Sequence, residues 1–164
     1  MTRVEGYYGR DIELPDDLLY EMTQHMWLRP CERGVELGFT HAGIVLISGL
    51  VFIDFIAEVG WDLEEGEALL GMETYKAMFE VHTPLAGKVV WLNDEIDEDK
   101  ATILDTQFYQ QPVAVLEPAD PGGWQQAFLT VEQYKEALER GEGDHCGAGA
   151  RAARAARRDP DDSG

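Results

Sequence analysis

A single lysine, Lys76, stands between two apolar runs, Leu69-Leu70-Gly71-Met72 and Phe79-Glu80-Val81, just ahead of Pro84-Leu85-Ala86-Gly87. A primary amine in such a place has one evident chemistry: uncharged, it attacks an activated acyl group and becomes an amide. An exposed lysine with a pKa of about 10.4 is mostly protonated at neutral pH, so an enzyme that modifies it must also deprotonate it. Glu73 is the one acid beside it. Its expected role, together with Thr74, Tyr75 and Ala77, is to set the shape of the segment and to be recognised, more than to act as a base.

The elements that must hold this lysine follow from patterning. The two apolar runs read as strands, and a lysine with short neighbours between strands belongs at the tip of a turn. The run Leu50 to Ile56 is apolar almost throughout and is expected as a central strand buried on both faces. Gly49-Leu50-Val51 and Gly87-Lys88-Val89 each open an apolar strand, the second through Leu92, which predicts two quasi-symmetric halves with Lys76 at the pole between them. Each half is followed by an acidic reversal, residues 62–67 and 93–99, read as solvated loops because neither has the glycine-centred spacing of a calcium loop.

Further elements are a helix from Asp16 to Trp27, from the spacing of Leu18, Leu19, Met22 and Met26, a strand from Val35 to Gly38, and a short helix capped by Thr40 and running through Leu46. Val113 to Leu116 is the closing strand, ended by Pro118. Asp120-Pro121 starts a helical turn, and Thr130 with Gln133 forms a capping box for a last helix stopped by Gly141. The fold class expected is mainly β, a barrel-sandwich with short terminal helices. Residues 1–141 form one carrier-sized domain with an N-terminal extension. Residues 142–164, rich in Gly, Ala, Asp and Arg, are expected to be a disordered tail.

The segment Glu73-Thr74-Tyr75-Lys76-Ala77 followed by Pro84-Leu85-Ala86-Gly87-Lys88-Val89-Val90 resembles the lipoylation segment of the glycine cleavage H protein family. The resemblance continues in His25-Met26-Trp27, Gly38-Phe39-Thr40, Gly49 to Asp54, Glu58-Val59-Gly60, Asp120-Pro121 and Tyr134 to Leu138. It implies a lipoyl-domain-like fold and lipoic acid bound covalently to Lys76. It also implies a non-catalytic swinging-arm role and modification by a lipoate ligase or lipoyl synthase and transferase. Glycine decarboxylase, aminomethyltransferase and dihydrolipoamide dehydrogenase would be the partners.

Two departures stand beside it. The family's glycine-tryptophan segment is replaced by Leu104 to Pro112, and residues 9–20 precede His25 where the family normally begins. That preface, with Leu14-Pro15-Asp16-Asp17-Leu18-Leu19-Tyr20, is similar to the lipoate-binding proteins of bacterial heterodisulfide-reductase-like sulfur-oxidising complexes. The expected partner is therefore such a complex, with the arm carrying a sulfur intermediate. The glycine cleavage role is the alternative, and an unmodified adaptor is the alternative of another class.

Composition excludes other classes. The formal net charge of −19, with 32 acidic against 13 basic residues, repels phosphate backbones and anionic membranes. No apolar run reaches the length of a membrane helix and no signal peptide is legible, so a cytoplasmic monomer is expected. Cys31 and Cys146 are too few for a disulfide framework or a zinc site. His25, His41, His82 and His145 are scattered singly, and no nucleophile-base constellation or phosphate loop exists, so an enzyme is not expected. His25 and His82 are retained as candidate surface contacts for a docking partner.

Overall fold

The computed structural model describes residues 1–143, and the tail expected over residues 142–164 falls, from residue 144 onward, outside the described residues. Strands β1 (Thr2–Tyr7) and β2 (Arg10–Leu14) form an N-terminal hairpin. Strands β3 (Leu19–Glu21), β4 (Met26–Cys31), β5 (Gly34–Phe39), β11 (Ala114–Pro118), β10 (Gly87–Leu92) and β7 (Asp62–Leu63) follow one another across a six-stranded sheet. A three-stranded sheet holds β6 (Leu50–Phe55), β8 (Ala68–Thr74) and β9 (Met78–His82), all antiparallel. Helix α1 (His41–Ile47) leads from the larger sheet to the smaller, α2 (Leu104–Gln107) is a single turn, and α3 (Val131–Glu139) closes the described chain.

The expected barrel-sandwich is present, and the two glycine-led strands fall in different sheets, β6 in the smaller and β10 in the larger. The main core lies between them, built from residues such as Leu37, Phe39, Ile53, Leu70, Val81, Val89 and Leu116. A second core joins Val4, Ile12 and Leu14 of the N-terminal hairpin to Trp27, Tyr20 and the Val131, Tyr134 and Leu138 face of α3. Tyr20 and Tyr134 stack there, centroids 4.6 Å apart and nearly parallel. The extension is therefore packed into the body of the protein.

Two expectations are corrected. Asp16 to Trp27 is not helical: Tyr20 pairs with Trp27 and Glu21 with Met26, so the segment is a hairpin. Its reversal is fixed by the Glu21 carboxylate, which accepts from the amides of Thr23 (2.5 Å) and Gln24 (2.9 Å), and by His25 at φ +56°. The spacing of Leu18 and Met22 imitates a helix, but these local bonds and the pairing with β4 outweigh it. Strand β6 is not central either. It is the outer strand of its sheet, its free edge paired, among the described residues, through a single bridge from Ile53 to Glu98, and Phe52 and Asp54 are exposed.

Other expectations match. Thr40 caps α1, its Oγ1 accepting from the Gly43 amide at 3.1 Å, and Thr130 and Gln133 form the reciprocal capping box on α3. Asp120-Pro121 leads into a 3-10 turn at Trp124–Ala127. Beyond α3, Glu142 donates its amide to the Ala137 carbonyl and Gly143 offers its carbonyl to His25 Nε2, so these two residues belong to the folded body.

Candidate functional site

Lys76 occupies the tip of the β8–β9 hairpin, where Met72 faces Phe79 and Glu73 faces Met78 in register. Its side chain is exposed, as are those of Tyr75 and Ala77. The chain has four lysines. Lys88 lies within β10, Lys100 in a loop before a 3-10 turn and Lys135 on α3, so Lys76 is the one presented by a hairpin tip.

The tip is shaped by Thr74. Its amide donates to the Ala77 carbonyl at 2.9 Å, closing the turn. Its buried hydroxyl accepts from the amides of Lys76 (3.2 Å) and Ala77 (3.1 Å) and donates to the Ala77 carbonyl (3.2 Å). A threonine hydroxyl folded back on the next amides is a local brace that keeps a short turn in one conformation. One further tie comes from outside the hairpin, the Tyr75 amide donating to the Gly49 carbonyl at 3.1 Å. Gly49 is at φ +94°, and a Cβ there would meet the Tyr75 ring at 2.1 Å, so only glycine lets the tip lie against the α1–β6 turn. Glu73 is half-buried beside the outer face of the smaller sheet.

Lys76 also lines a cleft of ≈ 740 Å³. It is lined by the half-buried Ile44, Val45 and Leu46 of α1 together with Tyr8, Arg10, His41 and Asp105. Burial pushes the Asp105 carboxyl up from its ordinary value and the His41 imidazole down, the latter helped by nearby Arg10 and opposed by Glu13. Sequence reading missed this cleft because its walls come from residues 8–10, 41–49, 76 and 105, which no local pattern connects.

The two sequence departures meet here. Tyr109 donates its hydroxyl to the Glu13 carbonyl of β2 (2.7 Å) and accepts from the His41 amide of α1 (3.1 Å). The Glu13 amide donates to His41 Nδ1 at 3.2 Å, and Phe108 stacks on the His41 ring with centroids 4.7 Å apart. Phe108 also gives its carbonyl to Trp27 Nε1 at 3.0 Å. The residues that replace the glycine-tryptophan segment thus clamp the extension onto the body.

Of the histidines kept as docking contacts, His25 is fully buried, its Nδ1 bonded to the Tyr134 hydroxyl at 2.7 Å, and cannot serve as one. His82 is half-buried at the edge of a groove on the outer face of the smaller sheet, with Phe52, Met78 and Phe79. Among the described residues no group of three or more His, Cys, Asp or Glu is placed to hold a metal, and no helix is long and apolar enough to cross a membrane.

Fold and site together define a small β domain built to present one lysine. The glycine cleavage H-protein family model matches residues 19–141, and the chain belongs to that family. It is 30% identical over 122 residues to the glycine cleavage system H protein of Bacillus pumilus, covering 74% of this chain and 94% of that one. It is 28% identical over 131 residues to that of an Anaeromyxobacter strain, covering all of it. The crystal structure of the H protein from Mycobacterium marinum superposes with a TM-score of 0.64 at 24% identity, over 78% of this chain and 99% of that one, which supports the fold. Members of the family are lipoyl carriers, not catalysts, and hold lipoic acid covalently on a lysine. Residues 1–18 lie outside the family match.

Proposed function

We propose that Lys76 is the lipoyl attachment site and that the chain is a carrier subunit moving the bound group between partner active sites, as glycine cleavage H proteins do. The observation that carries this is the place of Lys76, alone of the four lysines at a braced, exposed tip. When attached, the group supplies a dithiolane that reduces to two thiols and can carry an intermediate. The protein's own residues do the rest. Thr74 and Gly49 hold the tip in one shape for the modifying enzyme, and the two-sheet body keeps the tip rigid, so a tethered arm works at high effective concentration in any active site where the carrier docks. Peptide mass spectrometry after expression with a lipoylating system tests the assignment: the added mass should lie on the peptide containing Lys76 and vanish in Lys76→Arg. Mass on another lysine would refute it.

The named relatives favour glycine decarboxylase, aminomethyltransferase and dihydrolipoamide dehydrogenase as partners. A second reading, a sulfur-oxidising heterodisulfide-reductase-like complex, is favoured by one observation: the N-terminal hairpin outside the family match and the Phe108–Tyr109 clamp form a single added surface beside the cleft. Glycine-dependent carbon dioxide exchange with lipoylated protein decides between them. Exchange at the level of an authentic H protein establishes the first reading, and its absence despite full lipoylation rejects it.

A further inference from the structure

We infer that the N-terminal hairpin turns the cleft beside Lys76 into a binding site for a negatively charged group at the outer end of a loaded arm, with Arg10 as the residue that reads the charge. This rests on the assignment of Lys76 as the attachment site and, for the charge of the cargo, on the second reading of the partner. Lys76 is one of the residues lining the cleft, so whatever is joined to its Nζ starts beside it. The apolar side chains of Ile44, Val45 and Leu46 suit a hydrocarbon chain and the polar lining residues suit a head group, the mixture usual in small-molecule sites.

Charge decides which head group. Amide formation removes the charge of Lys76. Of the other lining residues Arg10 then carries the one full positive charge and Asp105 the one carboxylate. Arg10 is unusual in this acidic chain. Arg3 pairs with Asp11, Arg29 with Glu36, Arg140 with Glu136 and Glu142, and Arg33 lies over the Trp91 ring. Among the described residues Arg10 alone of the arginines has neither a carboxylate nor a ring for its guanidinium. It is thus available to a ligand, and its planar fork suits a carboxylate or a sulfur oxyanion. The β1–β2 reversal that brings it there has Gly6, Tyr8 and Gly9 all at positive φ (+70°, +47° and +80°), and the exposed Tyr8 lines the same cleft. Among the described residues no ion pair joins Asp105 to Arg10, so the guanidinium is left for a ligand.

The test uses lipoylated full-length protein whose arm has been reduced and its thiols alkylated with iodoacetate, iodoacetamide or 2-bromoethylamine. Each reaction forms a carbon–sulfur bond with loss of halide and a proton, and the arms end in an anion, a neutral amide or a cation. Nitrogen-15 resonances of Arg10 Nε and of the Gly9, Ser48 and Gly49 amides report occupancy of the cleft, and cleavage of the arm by a lipoamidase reports its protection. The anionic arm should shift these resonances and be released roughly tenfold more slowly than the neutral one, the scale of one charge-assisted hydrogen bond. The difference should vanish in Arg10→Gln and persist in Arg10→Lys. Equal behaviour of anionic and neutral arms, stronger retention of the cationic arm, or a difference untouched by Arg10→Gln would overturn the inference. An intact mass showing no arm on Lys76 would instead remove the attachment assignment on which it stands.

Discussion

Replacing Thr74 by valine keeps the β-branched shape and the buried methyl and removes only the hydroxyl. Three hydrogen bonds at the tip are lost, two accepted from the Lys76 and Ala77 amides and one donated to the Ala77 carbonyl. Each such bond contributes about 0.5–1.5 kcal/mol net, and because water can reach the exposed tip the low end applies, for about 1–2 kcal/mol in all. At about 1.4 kcal/mol per decade, the open tip gains about five- to thirtyfold in population relative to the closed one. Amide hydrogen exchange at Lys76 and Ala77 should speed by that factor, the lipoylation kcat/KM should fall by up to the same factor, and the melting temperature should drop by about 2–8 °C. Thr74→Ser, which retains the oxygen, should restore exchange and lipoylation to near wild-type values. If valine and serine variants exchanged alike, or if the valine variant were lipoylated at the wild-type rate, the hydroxyl would not be what shapes the tip.

Tyr109→Phe breaks the clamp between β2 and α1, two bonds together contributing about 1–2 kcal/mol, and calorimetry should show a lower melting temperature with faster exchange at the His41 amide. His41 is held below its ordinary pKa mainly by burial, so the unfolded chain binds the extra proton first. Stability should therefore decline as pH falls through the ordinary histidine range toward the lower folded value, and the decline should be shallower in His41→Gln when both are melted across about pH 5–8. Salt should raise the melting temperature, because the excess of carboxylates repels more in the compact state than in the expanded one. A flat or falling response up to near-molar potassium chloride would contradict this.

What the sequence made legible was what local chemistry writes down. The β8–β9 hairpin around Lys76, the Thr40 cap and the Thr130–Gln133 box each depend on residues a few positions apart, and each is found where expected. The failures come from distance. Leu18, Met22 and Met26 carry a helical period, yet pairing with β4 and the Glu21 carboxylate make a hairpin of them. Strand β6 is apolar enough for a central place but ends at an edge, because its second neighbour is a single bridge to Glu98. The cleft is hidden for the same reason: Arg10, Lys76 and Asp105 line it together only after the sheets have formed.

The bracing of the tip has a consequence for how such a protein can diverge. The side-chain ties that shape residues 74–77 lie within those four residues, and the contacts from outside, the Gly49 carbonyl and the pairing of Thr74 with Leu50, are made by backbone, with Gly49 itself admitting only glycine. The address proposed for attachment is thus nearly self-contained. A lineage could add a hairpin at its N-terminus, trade a glycine-tryptophan loop for Phe108 and Tyr109, and acquire new clientele, while the enzyme that recognises the lysine meets the same four-residue shape throughout.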